Sequence, residues 1–230
     1  DLLPEWYAAL LFQQALRWFR EKHQLYCGIL TEYSPGHHKH QTGIYWGYTR
    51  VNGRDYFHHP EGDYWRKSKA SVIKNSGNEV KWETVYDLLD EKGNAVLTET
   101  QTWSMREENG KYLLKLIWTG EAKTDVTIGM YDYGGLFVRM PWKEGIDGEV
   151  NNGARQKNEK AEGQRSNWVD VGIKIEGRKD RAHIAVFDHP ENNGFPQHWR
   201  VDNQLGIGVA RARKGNWDIK KGKIETLKNE

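Results

Sequence analysis

Three histidines lie within four residues near the start of the chain, in the segment Gly36–Thr42. In an extended backbone His38 and His40 project to one side, and His37 projects to the other. Two imidazoles on one side can bind a divalent metal when a carboxylate from elsewhere completes the site. They can equally bind a substrate or transfer protons without a metal, or hydrogen-bond a structural loop. The sequence leaves these alternatives open, so His38 and His40 are candidates both for metal binding and for acid–base catalysis.

A second group of imidazoles, carboxylates and aromatic rings occupies residues 55–66. It follows an Asn-Gly dipeptide at residues 52–53, which suits a tight hairpin because both residues tolerate positive φ. The hairpin should return this segment alongside the strand predicted at 43–50, close to the first histidines. We expect Asp55 and His58 to have acid–base roles, since such catalysis needs a positioned partner. The alternative is a tight loop in which these side chains satisfy backbone groups.

Two later segments carry polar groups in unusual surroundings. Arg139 lies inside the apolar run 134–142, and a buried arginine requires an anionic partner. An internal acid, Asp170 or another, is favoured over a substrate carboxylate because an unpaired buried charge is costly. His189 lies in residues 188–199, where Pro, Asn and Gly suit turns. An acid–base role for His189 requires a partner from elsewhere in the chain, and a structural turn is the alternative.

Aromatic residues are abundant, with 11 Trp and 11 Tyr, and many lie in segments that also carry Gly, Asn, Asp and His. Aromatic faces among polar groups bind sugar rings, peptides and nucleobases. We therefore expect a ligand-binding surface built from rings and polar side chains. The predicted ligand-contacting residues are Tyr45, Trp46, Tyr56, Trp65, Arg139, Asp170 and Trp199.

Strands must position these residues, because the sequence pattern after residue 22 has a period of two. Residues 1–22 are predicted as a helix, since Asp1 can cap it and Pro4 suits its first turn. We predict a mainly β fold over residues 23–230, an antiparallel β-sandwich of jelly-roll or supersandwich type. The polar segment 143–165 is predicted as a long loop. The predicted strands are 26–33, 43–50, 69–74, 79–89, 95–106, 111–121, 124–131, 134–142, 168–175, 183–187, 199–201 and 205–210.

Composition excludes several classes of protein. A formal net charge of +2 argues against a nucleic-acid partner. No stretch approaches the roughly 18 uncharged apolar residues of a membrane span, so an integral membrane protein is not expected. Cys27 is the single cysteine, so no internal disulfide forms and the compartment stays open, with periplasm or secretion favoured over cytoplasm. Motifs for nucleotide cofactors, zinc proteases and serine hydrolases are absent. The oligomeric state is open.

The same residues carry a resemblance to a known family. The matching segments are His37–Gly47, Val51–Phe57, Gly135–Pro141, Trp168–Asp170 and Asp188–Pro190 with Asn193, Pro196 and Trp199. Over residues 24–224 the chain resembles the bacterial family described as methane oxygenase PmoA-like, also treated as a domain of unknown function. A true methane-oxygenase subunit consists of transmembrane helices, so the label is a misnomer for this chain. The resemblance implies a β-sandwich domain from bacteria that degrade complex polysaccharides.

The chain departs from that family at both ends. The predicted helix 1–22 stands where relatives have strands, and the chain stops near residues 221–228, where relatives continue with a further strand. A truncated C-terminal edge is therefore expected. For function we expect a sugar-acting enzyme of the lyase, epimerase or hydrolase type. A non-catalytic carbohydrate- or protein-binding module is the alternative, and a metal-dependent oxygenase at His38 and His40 is the weaker one.

Overall fold

The computed structural model describes residues 43–59 and 62–230. The predicted helix 1–22, the predicted strand 26–33 and the cluster of His37, His38 and His40 lie outside the described residues. Within that description the chain forms fourteen strands and one 3₁₀ turn, Asn158–Ala161. The strands are β1 (Gly43–Gly47), β2 (Trp65–Lys74), β3 (Glu79–Leu89), β4 (Ala95–Glu108), β5 (Lys111–Ala122), β6 (Val126–Ile128), β7 (Gly135–Arg139), β8 (Gly148–Asn152), β9 (Trp168–Lys174), β10 (Arg181–Phe187), β11 (Trp199–Val201), β12 (Ile207–Val209), β13 (Trp217–Ile219) and β14 (Ile224–Asn229).

The fold is mainly β and its sheets are antiparallel, as the alternating sequence pattern predicted. The described residues divide into two compact units. Unit 1 comprises His59–Val126 and Asp218–Glu230, and unit 2 comprises 43–58 and Thr127–Trp217. The chain passes from one unit to the other after His58, after Val126 and after Trp217. No helix in the described ranges has the length and apolar character needed to cross a membrane.

Unit 1 is built on a five-stranded sheet in the order β14-β5-β4-β3-β2. Strands β4 and β5 are joined at Asn109 and Gly110, whose φ values of 53° and 75° are those of a tight hairpin turn. Leu116 and Trp118 on β5 are buried, whereas Ile117 between them is 40% exposed. This alternation confirms the prediction of one packed face and one wet face. Strands β13 and β14 were not predicted from the sequence.

Unit 2 contains a four-stranded sheet, β1-β7-β12-β11, and a three-stranded sheet, β10-β9-β8. Every residue of β7 is buried, which agrees with the prediction of a buried strand in the run 134–142. The Asn52–Gly53 turn is also confirmed, with φ values of 51° and 86°. After this turn the Tyr56 amide donates to the Tyr48 carbonyl over 3.0 Å. The hairpin therefore returns the segment that begins at residue 55 alongside the end of β1.

The predicted long loop 143–165 contains regular structure, so that prediction was wrong in part. Strand β8 and the 3₁₀ turn lie within it. The polar side chains that suggested a loop instead organise the backbone: the Asn158 side chain accepts from the Val150 amide at 2.8 Å. Asn152 likewise accepts from the amides of Ala154 and Gln156 through its side-chain oxygen. Local side-chain to backbone bonds of this kind make an Asn-rich segment ordered rather than irregular.

Candidate functional site

Asp55 and His58 form a hydrogen-bonded pair immediately after the hairpin in unit 2. One carboxylate oxygen of Asp55 accepts from the amides of Phe57, at 2.9 Å, and His58, at 3.1 Å. The other oxygen lies 2.8 Å from His58 Nδ1. An ionised carboxylate only accepts hydrogen bonds, so Nδ1 must carry the proton. In the neutral form of the imidazole, Nε2 is then an acceptor, and about a third of each side chain is exposed.

Tyr133 completes the arrangement on the other side of the ring. Its hydroxyl oxygen lies 3.2 Å from His58 Nε2. Burial raises the pKa of Tyr133 well above its usual value, Tyr131 and Asp55 raise it further, and Arg200 opposes them. The phenol is therefore neutral near pH 7, and its O–H group donates a hydrogen bond to Nε2. Asp55, His58 and Tyr133 thus form a chain of three hydrogen-bonded groups.

Aromatic rings surround this chain. The Phe57 ring lies 4.9 Å from the Tyr133 ring and 5.3 Å from the Tyr45 ring, measured between centroids. Tyr45 in turn stacks on Phe137 at 5.1 Å. Because Tyr45 pairs with Phe137 across β1 and β7, and Phe137 pairs with Gly208 across β7 and β12, their side chains share one sheet face. The predicted ligand-contacting residue Tyr45 is therefore linked to the Asp55–His58–Tyr133 chain through Phe57.

Arg139 is paired inside the protein. Its guanidinium donates to Asp202 Oδ2 at 2.5 Å, and the two side chains are only 4% and 8% exposed. The acid partner is therefore Asp202 rather than Asp170, and Arg139 does not offer a free cation to a substrate carboxylate. Burial raises the pKa of Tyr45, while the nearby Arg139 lowers it. The Arg139–Asp202 pair and Tyr45 are thus held together on the same face of the sheet.

A second ionic cluster lies beside Tyr133. Glu162 Oε1 accepts from Arg200 at 2.7 Å and from Arg213 at 2.8 Å. Arg213 also donates to the carbonyl oxygen of Asp132, the residue before Tyr133, at 2.7 Å. The carboxylate of Glu162 therefore ties strand β11 to the segment that carries Tyr133. The sequence analysis did not identify any of these charged residues.

Asp170 has a different histidine partner. Its Oδ2 lies 2.8 Å from Nδ1 of His183, on the neighbouring strand β10. The imidazole covers Gly172, where an added Cβ would come 2.4 Å from His183 Cε1. The His183 side chain is 52% exposed. This pair repeats the local geometry of Asp55 and His58, but the structure shows no phenol at its Nε2 among the described residues.

Three further predicted site residues lie in a turn or in the core. His189 accepts from the Glu191 amide at 3.2 Å within its own turn. Trp199 is fully buried and donates to the Ser166 carbonyl at 2.7 Å. Tyr56 is also buried in the core. A ring stacks on a sugar only where its face is accessible, so we assign Tyr56 and Trp199 to the core.

The remaining candidates lie elsewhere. Trp46 is half-buried with its ring edge against Tyr48 at 5.6 Å. Trp65 is on β2 in unit 1 and donates to the His59 carbonyl at 3.1 Å. His38 and His40 lie outside the described residues, so their part in any site stays a prediction. Within residues 43–59 and 62–230, no group of three His, Cys, Asp or Glu side chains could hold a metal.

Sequence reasoning missed Tyr133 because it lies 75 residues from His58. The available signal was weak: Tyr131 and Tyr133 flank an aspartate directly before two glycines and a buried strand. Glu162 had no signal, since it belongs to a polar segment that was predicted as a loop. Arg200 also gave no signal, because it lies between Trp199 and Val201, two buried residues of a short strand.

Of the comparisons with known proteins, only the one with family models gave a match. No significant match was found among curated proteins or among solved structures. The model of a family of unknown function (DUF6807) matches residues 28–230, and its description gives no support for the methane-oxygenase label. Since that match covers most of the sequence, the chain belongs to this family of unknown function.

Proposed function

We propose that this protein is a sugar-acting enzyme in which His58 transfers a proton to or from a bound carbohydrate. The observation that carries the proposal is the arrangement of Asp55, His58 and Tyr133. A carboxylate fixes Nδ1 at 2.8 Å and a neutral phenol lies 3.2 Å from Nε2. A base held by an orienting group, with an acid at hand, is the basic requirement of general acid–base catalysis.

Each group has a defined role in this proposal. Nε2 of His58 is the general base, because its lone pair becomes available when a substrate group displaces the Tyr133 hydroxyl. Asp55 holds the ring and stabilises the imidazolium that forms. Tyr133 keeps its proton near pH 7, since a phenol is already neutral there and burial raises its pKa further. It can donate that proton to the substrate and regain one from the His58 imidazolium. These roles suit a lyase, an epimerase or a hydrolase.

The surroundings of the three groups also suit a sugar ligand. Phe57 and Tyr45 provide aromatic surface next to His58, and sugars combine apolar ring faces with hydroxyl groups. Pockets that bind small molecules commonly pair such rings with a few polar groups. We also retain a β-sandwich of jelly-roll or supersandwich type as the proposed fold.

The test is turnover of a pool of oligosaccharides of defined linkage in D₂O, with products identified by mass spectrometry and NMR. A hydrolase adds water across the cleaved bond, a lyase yields an unsaturated fragment, and an epimerase leaves the chain length unchanged while deuterium replaces a hydrogen at the inverted carbon and raises the mass accordingly. His58→Gln should reduce turnover by about a hundredfold or more. His183→Gln is the matched control, because it removes another aspartate-paired histidine of unit 2. Equal turnover in wild type and His58→Gln, or no conversion of any pool member, would overturn the proposal.

A non-catalytic carbohydrate-binding module is the second candidate. The observation that favours it is Phe187, which is 47% exposed and pairs with Trp168 across β10 and β9. Asp170 and His183 lie on the same sheet face, because they stand two and four positions along the strands from that pair. Glycan binding without turnover, lost in Phe187→Ala and kept in His58→Gln, would favour this module over the enzyme.

The metal-dependent oxygenase depends on His38 and His40, outside the described residues. Elemental analysis of the purified protein and of the His38→Ala/His40→Ala variant tests it directly. Stoichiometric metal that is lost in the variant would move the proposal to a metal centre. A metal-free protein whose thermal stability does not respond to chelator would remove the oxygenase.

A further inference from the structure

Arg200 stands on the sheet face that carries the proposed site. It pairs in register with Gly208, which pairs with Phe137, which pairs with Tyr45. Residues paired in this way point to the same side of the sheet. The four positions therefore form one row across β1, β7, β12 and β11, with a glycine between the stacked rings and the guanidinium.

The guanidinium of Arg200 shares its carboxylate partner with a second arginine. Its one hydrogen bond to a described residue runs from Nη1 to Glu162 Oε1, over 2.7 Å. That oxygen is shared with Arg213, and the other oxygen of Glu162 accepts from the Val201 amide. The Glu162 carboxylate thus binds both guanidinium groups, and Arg213 has a second carboxylate, that of Asp132, at 3.5 Å. An arginine carries five N–H donors in a planar fork, so Arg200 can still bind a second anion.

Arg200 is also accessible and close to the acid–base groups. Its side chain is 31% exposed, whereas Arg213 is 10% exposed and Arg139 is 4% exposed. Glu162 and Arg213 link it to Asp132, the neighbour of Tyr133. Burial dominates the raised pKa of Tyr133, and the charge of Arg200 acts against it, as expected for a cation within electrostatic reach of the phenol. Among these three arginines, Arg200 is the one placed to meet a ligand.

We infer that Arg200 binds the carboxylate of an acidic sugar, a uronic acid residue, whose ring lies at His58 and Tyr133. A planar guanidinium matches a carboxylate in a bidentate arrangement. This inference rests on the proposed carbohydrate function and names the substrate class of that site. Tyr133 and Phe57 would face the ring of the sugar, Tyr45 would support Phe57 from behind, and Arg200 would select the charged substituent of the sugar.

A glycan array of matched neutral, uronic and sulfated oligosaccharides tests the inference, followed by calorimetric titration with the best uronic oligosaccharide. The wild type should prefer uronic over neutral members. Arg200→Gln should weaken uronic binding by roughly ten- to a hundredfold, as expected for loss of a charged hydrogen bond. Arg200→Lys should keep part of the preference because it keeps the charge. Arg178→Gln is the control, since Arg178 is a surface arginine of unit 2 that pairs with Asp180.

The outcomes separate the two proposals. Equal binding of neutral and uronic members, or unchanged uronic binding in Arg200→Gln, would overturn the assignment of Arg200 and leave the carbohydrate function standing. Preference for sulfated over uronic members would overturn the carboxylate as the recognised group. Absence of binding to every member of the array would overturn the carbohydrate function and the inference together. Thermal unfolding of each variant near the wild-type temperature ensures that lost binding is not lost folding.

Discussion

At the scale of single residues, the two oxygens of Asp55 have separate tasks. One oxygen accepts the Phe57 and His58 amides and holds the turn, and the other accepts His58 Nδ1–H and sets the tautomer. The acceptor character of Nε2 therefore depends on the second oxygen being an acceptor. Replacing that oxygen by a donor should change the chemistry of His58 while leaving the turn intact.

Asp55→Asn makes that replacement. Its amide oxygen can keep the two backbone bonds, and its NH₂ group then faces Nδ1, which must become the acceptor. We expect the His58 proton to move to Nε2 and turnover to fall about a hundredfold or more, because the base is lost. ¹⁵N NMR of the imidazole nitrogens measures the tautomer. His183, still paired with Asp170, serves as an internal reference. Retention of the Nδ1–H tautomer at His58 in the variant would contradict the assignment.

The residue-level prediction from sequence succeeded where partners are close along the chain. Asp55 and His58 are three residues apart, and the Asn-Gly dipeptide predicted the hairpin turn that precedes them. It was incomplete where partners come from distant strands. Arg139 pairs with an internal acid, as predicted, but that acid is Asp202, directly after β11, and the named example Asp170 lies on β9. Which strand adjoins β7 is a property of topology, and no local pattern of residues specifies it.

At the scale of elements, glycines in the four-stranded sheet of unit 2 leave the space in which its aromatic rings pack. The Phe137 ring lies over Gly206 and Gly208 on the neighbouring strand segment. An added Cβ at Gly208 would come 2.6 Å from Phe137 Cδ2 and 2.9 Å from the Leu136 carbonyl oxygen. The backbone oxygen cannot move aside as a flexible side chain can. The position of Phe137, and of Tyr45 stacked on it, therefore depends on the missing side chain.

Gly208→Ala tests this dependence. We expect it to lower the free energy of unfolding by about 1–3 kcal/mol, the usual cost of overpacking a core. Urea denaturation followed by tryptophan fluorescence measures the change. Gly215→Ala is the matched control, because an added Cβ there meets no atom within 4 Å. The control should stay within about 0.5 kcal/mol of the wild type. A Gly208→Ala midpoint equal to that of the control would mean that the ring has room to shift.

At the scale of the whole molecule, charges of opposite sign nearly cancel, with a formal net charge of +2. A near-neutral protein has little overall self-repulsion, so its stability responds to pH mainly through individual buried groups. Tyr86 on β3 of unit 1 is such a group. Burial raises its pKa from 10.0 to about 12. The folded state therefore favours the neutral phenol more strongly than the unfolded state does.

The sign of the pH effect follows from that difference. Below about pH 10 the phenol is neutral in both states, so its contribution to stability is fully present. Between about pH 10 and pH 12 only the unfolded state ionises, so the contribution is lost as the pH rises. We expect a loss of about 2 kcal/mol from this group by pH 12. Urea titrations of wild type and Tyr86→Phe at pH 9 and near pH 11.5 measure it. The phenylalanine variant should lose less stability; equal losses would contradict the assignment.

The order of strands in unit 1 has a consequence for synthesis. Strand β14 pairs with β5 along its length, but the segment 127–217 separates the two in the chain. A ribosome therefore produces the 127–217 part of unit 2 between β5 and the strand that covers its outer edge. During that interval the nascent sheet presents the backbone N–H and C=O groups of β5 to other chains. We therefore expect chaperones to bind this late-closing edge during translation. Expression at high protein concentration should favour aggregation through the same edge.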